Sequence, residues 1–101
     1  MLPPRVVTFV AAVMRKTEDG ELHWVFDDES NVISVDTLEF NLRVRHSFNS
    51  ASDCGEFTVF YSGGKDRTQY RFFTDESAES DYLLMRQLFN CAQGATVRFP
   101  F

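Results

Sequence analysis

Residues 75–94, DESAESDYLLMRQLFNCAQG, are the one long stretch with helical rather than strand periodicity. Ala78, Tyr82, Met85, Phe89 and Ala92 recur at spacings of four, three, four and three, and Leu84, Leu88 and Cys91 widen the same apolar side. That spacing predicts a helix over 75–93 with one broad buried face. Asp75 or Ser77 is placed to cap its first turn, and Glu76, Glu79 and Asp81 sit near the positive end of its dipole. Gly94 is placed to end it.

Working outward, most of what precedes the helix alternates as strands. Leu38, Phe40, Leu42 and Val44 form one face of a strand, with Glu39, Asn41, Arg43 and Arg45 on the other, wet face. Ser47–Gly55 reads as a polar loop. Phe57, Val59 and Tyr61 then oppose Thr58 and Phe60, and Tyr70 and Phe72 oppose Gln69, Arg71 and Phe73, with Ser62–Asp66 turning the chain between them. Nearer the amino terminus, Val6–Met14 is apolar on both alternating faces, and Leu22, Trp24 and Phe26 alternate after an Asp19–Gly20 turn. We read residues 6–27 as a hairpin whose first strand is covered on both sides. Asp27–Asn31 breaks the pattern, and Ile33–Asp36 is a short strand or a crossing segment. After Gly94, Ala95, Val97, Phe99 and Phe101 alternate as a last short strand, with Pro100 suiting only an edge. The expected fold is α+β: one domain over residues 1–101, a mainly antiparallel sheet of five to six strands, one long C-terminal helix and a short final strand. Phe-x-Asp-Glu-Ser occurs at both Phe26–Ser30 and Phe73–Ser77, which reads as two strands ending in similar acidic caps.

The chain has 101 residues, near the commonest domain size, and 44% hydrophobic content, enough for one core. Eleven Phe exceed what one helix on one sheet can hide, so some rings are expected at the surface, where they meet a partner. Fifteen acidic against ten basic residues give a net charge of −5, which disfavours nucleic acid and anionic membrane as general partners. Cys54 and Cys91 form no motif, and the amino terminus lacks the pattern of a secretory signal, so reduced thiols and a cytoplasmic location are expected. The longest apolar run, Phe9–Met14, is too short to span a bilayer.

Tyr61-Ser62-Gly63-Gly64-Lys65-Asp66 resembles the phosphate loop of the ATP pyrophosphatase family over five residues. The resemblance implies a glycine-lined loop that wraps a pyrophosphate at the amino end of a helix, and hence a nucleotide-binding enzyme using Ser62–Asp66. Arg67 stands where that family has a hydroxyl, and Thr68–Thr74 alternates as a strand, so a glycine hairpin turn accounts for the same residues. His23, His46, Cys54 and Cys91 stand at no metal-building spacing, and no cofactor is expected. Asp27, Asp28 and Glu29 lack the alternation of a calcium loop. His46, Asp53 and Cys54 share one stretch, but Asp53 disfavours a thiolate beside it.

The outward residues of the late strands offer more. Arg43, Arg45, Phe60, Arg71 and Phe73 share one surface if their strands are neighbours, and guanidiniums interleaved with rings suit a protein interface or the stacking of single-stranded bases. The expectation is a small, acidic, non-catalytic protein-binding module of inhibitor, immunity or phage-antagonist type. It would occlude a macromolecular partner through that surface, with the acidic turn Asp27–Glu29 assisting. Single-stranded nucleic acid is the alternative partner. A homodimer through Ala95–Phe101 is expected from an open apolar edge.

Overall fold

The computed structural model describes residues 2–64, 68–97 and 100. The chain runs α1 (Pro4–Glu18), β1 (Val25–Asp27), β2 (Val32–Asp36), β3 (Phe40–Asn49), β4 (Cys54–Gly63), β5 (Thr68–Asp75) and α2 (Glu79–Ala95). The five strands form one antiparallel sheet in the order β1-β2-β3-β4-β5, each pairing with the next in sequence. The architecture is α+β.

The first helix corrects the reading of Val6–Met14 as a strand. A run that is apolar all round satisfies strand and helix spacing alike, so periodicity alone does not separate them. Pro3 and Pro4 decide it. Pro4 occupies the first helical position, where a missing N–H costs nothing, and the Pro3 carbonyl accepts from the amides of Val6 and Val7 at 3.0 and 3.1 Å. Arg15 and Lys16 lie in the last turn, where cations meet the negative end of the dipole. The face that turns inward is Val10, Val13 and Thr17, at helical spacing. There is accordingly no hairpin over 6–27: β1 is three residues long and pairs with β2, which settles Val32–Asp36 as a strand. Buried Trp24 ties the end of α1 to the start of the sheet, its indole N–H donating to the Thr17 hydroxyl at 2.8 Å while that hydroxyl donates to the Val13 carbonyl at 2.8 Å.

Both helices lie on one side of the sheet and pack against each other. Ile33, Val35, Leu42, Val44, Phe57 and Val59 point toward them and meet Val10, Val13, Met85, Leu88, Phe89 and Ala92. At the amino terminus the Leu2 amide donates to an Asp81 carboxylate oxygen at 2.7 Å, tethering the start of the chain to the first turn of α2.

Other boundaries move. Leu38, expected inward, is 99% exposed, because Thr37–Glu39 is a turn in which the Thr37 hydroxyl receives the Phe40 amide at 3.0 Å. The polar loop shrinks to Ser50–Asp53, since β3 and β4 pair through to Asn49 and Cys54. Asp75 ends β5, where it pairs with Glu56, and its carboxylate accepts from the amide and hydroxyl of Ser77, closing the turn into α2. Ala78 stands at the N-cap position with no side-chain cap. Gly94 lies inside α2, which ends at Ala95 and is capped by Thr96, whose hydroxyl donates to the Gln93 carbonyl at 2.7 Å. The strand expected over Ala95–Phe101 is not formed at Ala95–Val97. Arg98, Phe99 and Phe101 lie outside the described residues.

Candidate functional site: the uncovered face of the sheet

With both helices on one side, the other side of the sheet has no second layer among the described residues. Strand alternation fixes what it carries, because neighbours in a ladder share a face. One row runs Ser34, Arg43, Phe60, Arg71, and the next runs Val32, Arg45, Thr58, Phe73. The five residues expected to share a surface therefore do so. Arg43 and Arg71 flank Phe60 from the two neighbouring strands, and Arg45 lies diagonal to it.

The side chains use that placement. The Arg43 guanidinium carbon lies 5.0 Å from the centre of the Phe60 ring and that of Arg45 lies 5.8 Å away, both within reach of the ring's negative face. Phe60 is half-buried beneath them, Phe73 is 46% exposed, and all three arginines are exposed. Thr58 is buried between Arg45 and Phe73, so the face is a packed platform rather than a set of isolated side chains. A shallow cavity of about 310 Å³ opens between Arg43, Phe60 and Arg71, widened by Asn41, Ser62 and Gln69 of the third row. These last three follow from alternation once the strands are known to be neighbours.

Charge is sorted across the face. The middle is cationic, while Asp27, Asp36, Glu56 and Asp75 stand at strand ends on the same side. Asp27 lies in the row of Arg45, two strands away, hence about 10 Å to the side. Its carboxylate folds back on the β1–β2 turn, accepting the Glu29 amide at 3.0 Å, and bonding to Ser30 holds its acidity above that of an ordinary carboxyl. Asp28 and Glu29 are exposed at the same corner.

The other candidates fare differently. Ser62 and Gly63 close β4, and Gly64, at φ 77°, begins the turn into β5. A strand follows where a phosphate loop has a helix; Lys65 and Asp66 lie outside the described residues. The His46 ring meets Asn31 and Tyr82, whereas the Cys54 thiol lies 3.2 Å from the Ser52 hydroxyl, so no cysteine–histidine pair forms. Both cysteines are free, and burial pushes the Cys91 thiol above its ordinary range. Among the described residues no three His, Cys, Asp or Glu side chains cluster to hold a metal ion, and no helix is long and apolar enough to cross a membrane. No known protein family, no curated protein and no solved structure matches the chain.

Proposed function

We propose that the protein is a non-catalytic binding module that occludes a partner protein with the uncovered face of its sheet, in the manner of inhibitors, immunity proteins and phage antagonists. The observation that carries this reading is Phe60 set among Arg43, Arg45 and Arg71, beside exposed Phe73, on a face that no helix covers among the described residues. Arg and aromatic residues are the types that dominate interface energetics, above all when central and ringed by polar groups. The partner surface that fits is acidic with an apolar centre: carboxylates for the three guanidiniums, a hydrophobic contact for Phe73. The acidic rim at Asp27–Glu29 then sets orientation by meeting a basic edge. Two free cysteines agree with action in a reducing compartment, the cytoplasm. Self-association belongs to the same proposal, with β5 as its route: its eight residues form an edge of the sheet, with no strand beyond it among the described residues. Sedimentation that finds only monomer at high concentration removes this part.

The test compares capture on the wild-type chain with capture on Arg71→Ala and Phe73→Ala, both exposed and so expected to fold. A partner of this face is retained by the first and lost from both variants, each truncation costing at least about 1–2 kcal/mol of binding. The competing occupant is a single strand of nucleic acid, favoured by the same ring-and-guanidinium stack. It is recognised by an oligonucleotide affinity that falls steeply with salt, with a logarithmic slope near −2 for three arginines at about 0.7 each. That result, or a captured partner indifferent to both substitutions, overturns the protein reading.

A further inference from the structure

The helix-covered side of the sheet ends in a polar pocket that has no part in the Arg/Phe face. Where the β1–β2 turn, β3 and α2 meet, a cavity of about 380 Å³ is floored by Phe57 and Phe89 and walled by Asn31, His46, Tyr82 and Arg86, with Asn90 at its edge.

Two unusual positions hold its walls. Asn31 has φ 57°, in the left-handed region, where Asn is among the better-tolerated side chains. In that conformation its carbonyl accepts the His46 amide at 3.1 Å, and its own side-chain nitrogen donates to the His46 carbonyl at 3.2 Å and lies 3.3 Å from Nδ1. Across the ladder, a Cβ on Gly55 would run into the Tyr82 hydroxyl, so the bare backbone at 55 is what lets the phenol reach over β4 to His46. The imidazole packs at a tilt of 43° against the Phe57 ring, with ring centres 4.7 Å apart.

These contacts choose the donors. Nδ1 accepts from the Asn31 amide, so the ring proton sits on Nε2, facing the Tyr82 oxygen at 3.5 Å. The Tyr82 O–H is then left to turn into the cavity. Arg86 and Asn90 follow Tyr82 at four-residue steps on α2, which sets all three on one stripe of the helix. Hydroxyl, guanidinium and amide donors line one cavity together with two aromatic side chains, and no lining residue is acidic.

We propose that this pocket binds a small organic anion, its carboxylate held by Arg86 and Tyr82 and its apolar body set against the parts of Phe57 and Phe89 that line the cavity. Burial and then Arg86 keep the imidazole less basic than usual, and both it and Tyr82 also feel Glu76, in the turn before α2, while Tyr82 feels Cys54. Glu76 therefore opposes the ligand.

Benzoate titrated into the full chain, followed through the His46 ring resonances, tests the assignment. A saturable shift is expected. Arg86→Gln, at an exposed position, weakens affinity by about tenfold or more. Glu76→Gln tightens it a few-fold, about what one neighbouring charge supplies near a surface. Benzamide, the same body without charge, fails to bind, and inorganic phosphate, charge without the body, binds less tightly than benzoate. Any of three results overturns the proposal: no saturable shift, benzamide equal to benzoate, or Arg86→Gln binding undiminished. Phosphate binding tighter than benzoate overturns the carboxylate assignment.

Discussion

The two sides of β3 and β4 are made by the same backbone and live in different solvents. On one side Leu42, Val44, Phe57 and Val59 are 0–1% exposed; on the other, one residue along in each case, stand Arg43, Arg45, Thr58 and Phe60. The covered side is decided by transfer of apolar surface out of water, where volume and shape set the energy. The uncovered side has no second layer among the described residues to satisfy, so its composition is free to serve something other than folding. An aromatic ring placed among three cations gives the fold little, and under the proposed function it is the anchor of the binding surface.

The largest expected effect comes from adjacent residues on these two sides. Leu42→Ala opens a cavity in the core and should cost about 2–5 kcal/mol, a large part of the stability of a domain this size. Arg43→Ala, the next residue, removes an exposed chain and should cost about 1 kcal/mol or less. Urea unfolding of the two variants measures the difference. Equal losses would mean that the arginine face is covered in the folded protein and belongs to the core.

The alternation that separates these sides was legible from Phe40 to Val44, from Phe57 to Tyr61 and from Gln69 to Phe73, and with it the grouping of Arg43, Arg45, Phe60, Arg71 and Phe73. Such patterns are local, and a sheet whose strands pair in sequence order turns local pattern directly into surface. The C-terminal helix was legible for the same reason. What escaped was α1, because Val6–Met14 has no polar face to reveal a period, and the signal that settles it is steric: Pro4 suits a first helical turn. The pocket at His46 was out of reach altogether. Its members lie 15 and 36 positions from His46, and they meet only through a left-handed Asn31 and the missing side chain of Gly55.

Two polar side chains on the covered side, Thr74 and His46, carry the contrast into the core. Thr74 is 1% exposed, and its hydroxyl has no hydrogen-bond partner among the described residues. A buried hydroxyl left unpaired costs about 1–3 kcal/mol, so Thr74→Val, nearly its shape, should raise stability by about 1–2 kcal/mol in the same urea assay. A loss instead would show the hydroxyl to be satisfied in solution. His46 is the other. Burial lowers its folded pKa below the ordinary 6.5 that it keeps when unfolded, so between those values the unfolded chain binds more protons. Its contribution is full above about pH 6.5 and lost as pH falls toward the folded value. His46→Gln should flatten that part of the stability–pH curve relative to wild type.

The smallest effect concerns the uncovered side alone. Arg43 and Arg45 both approach the Phe60 ring, so a double-mutant cycle of Arg43→Ala with Phe60→Leu isolates their coupling. At an exposed site a cation over a ring is worth about 0.5–1 kcal/mol, and the stability cycle should return a value in that range. In a cycle on partner affinity the coupling should be larger, because a docked surface excludes the water that screens the pair. If the two cycles agree, the cation–ring stack is a feature of folding. A binding cycle that exceeds the stability cycle assigns the stack to docking.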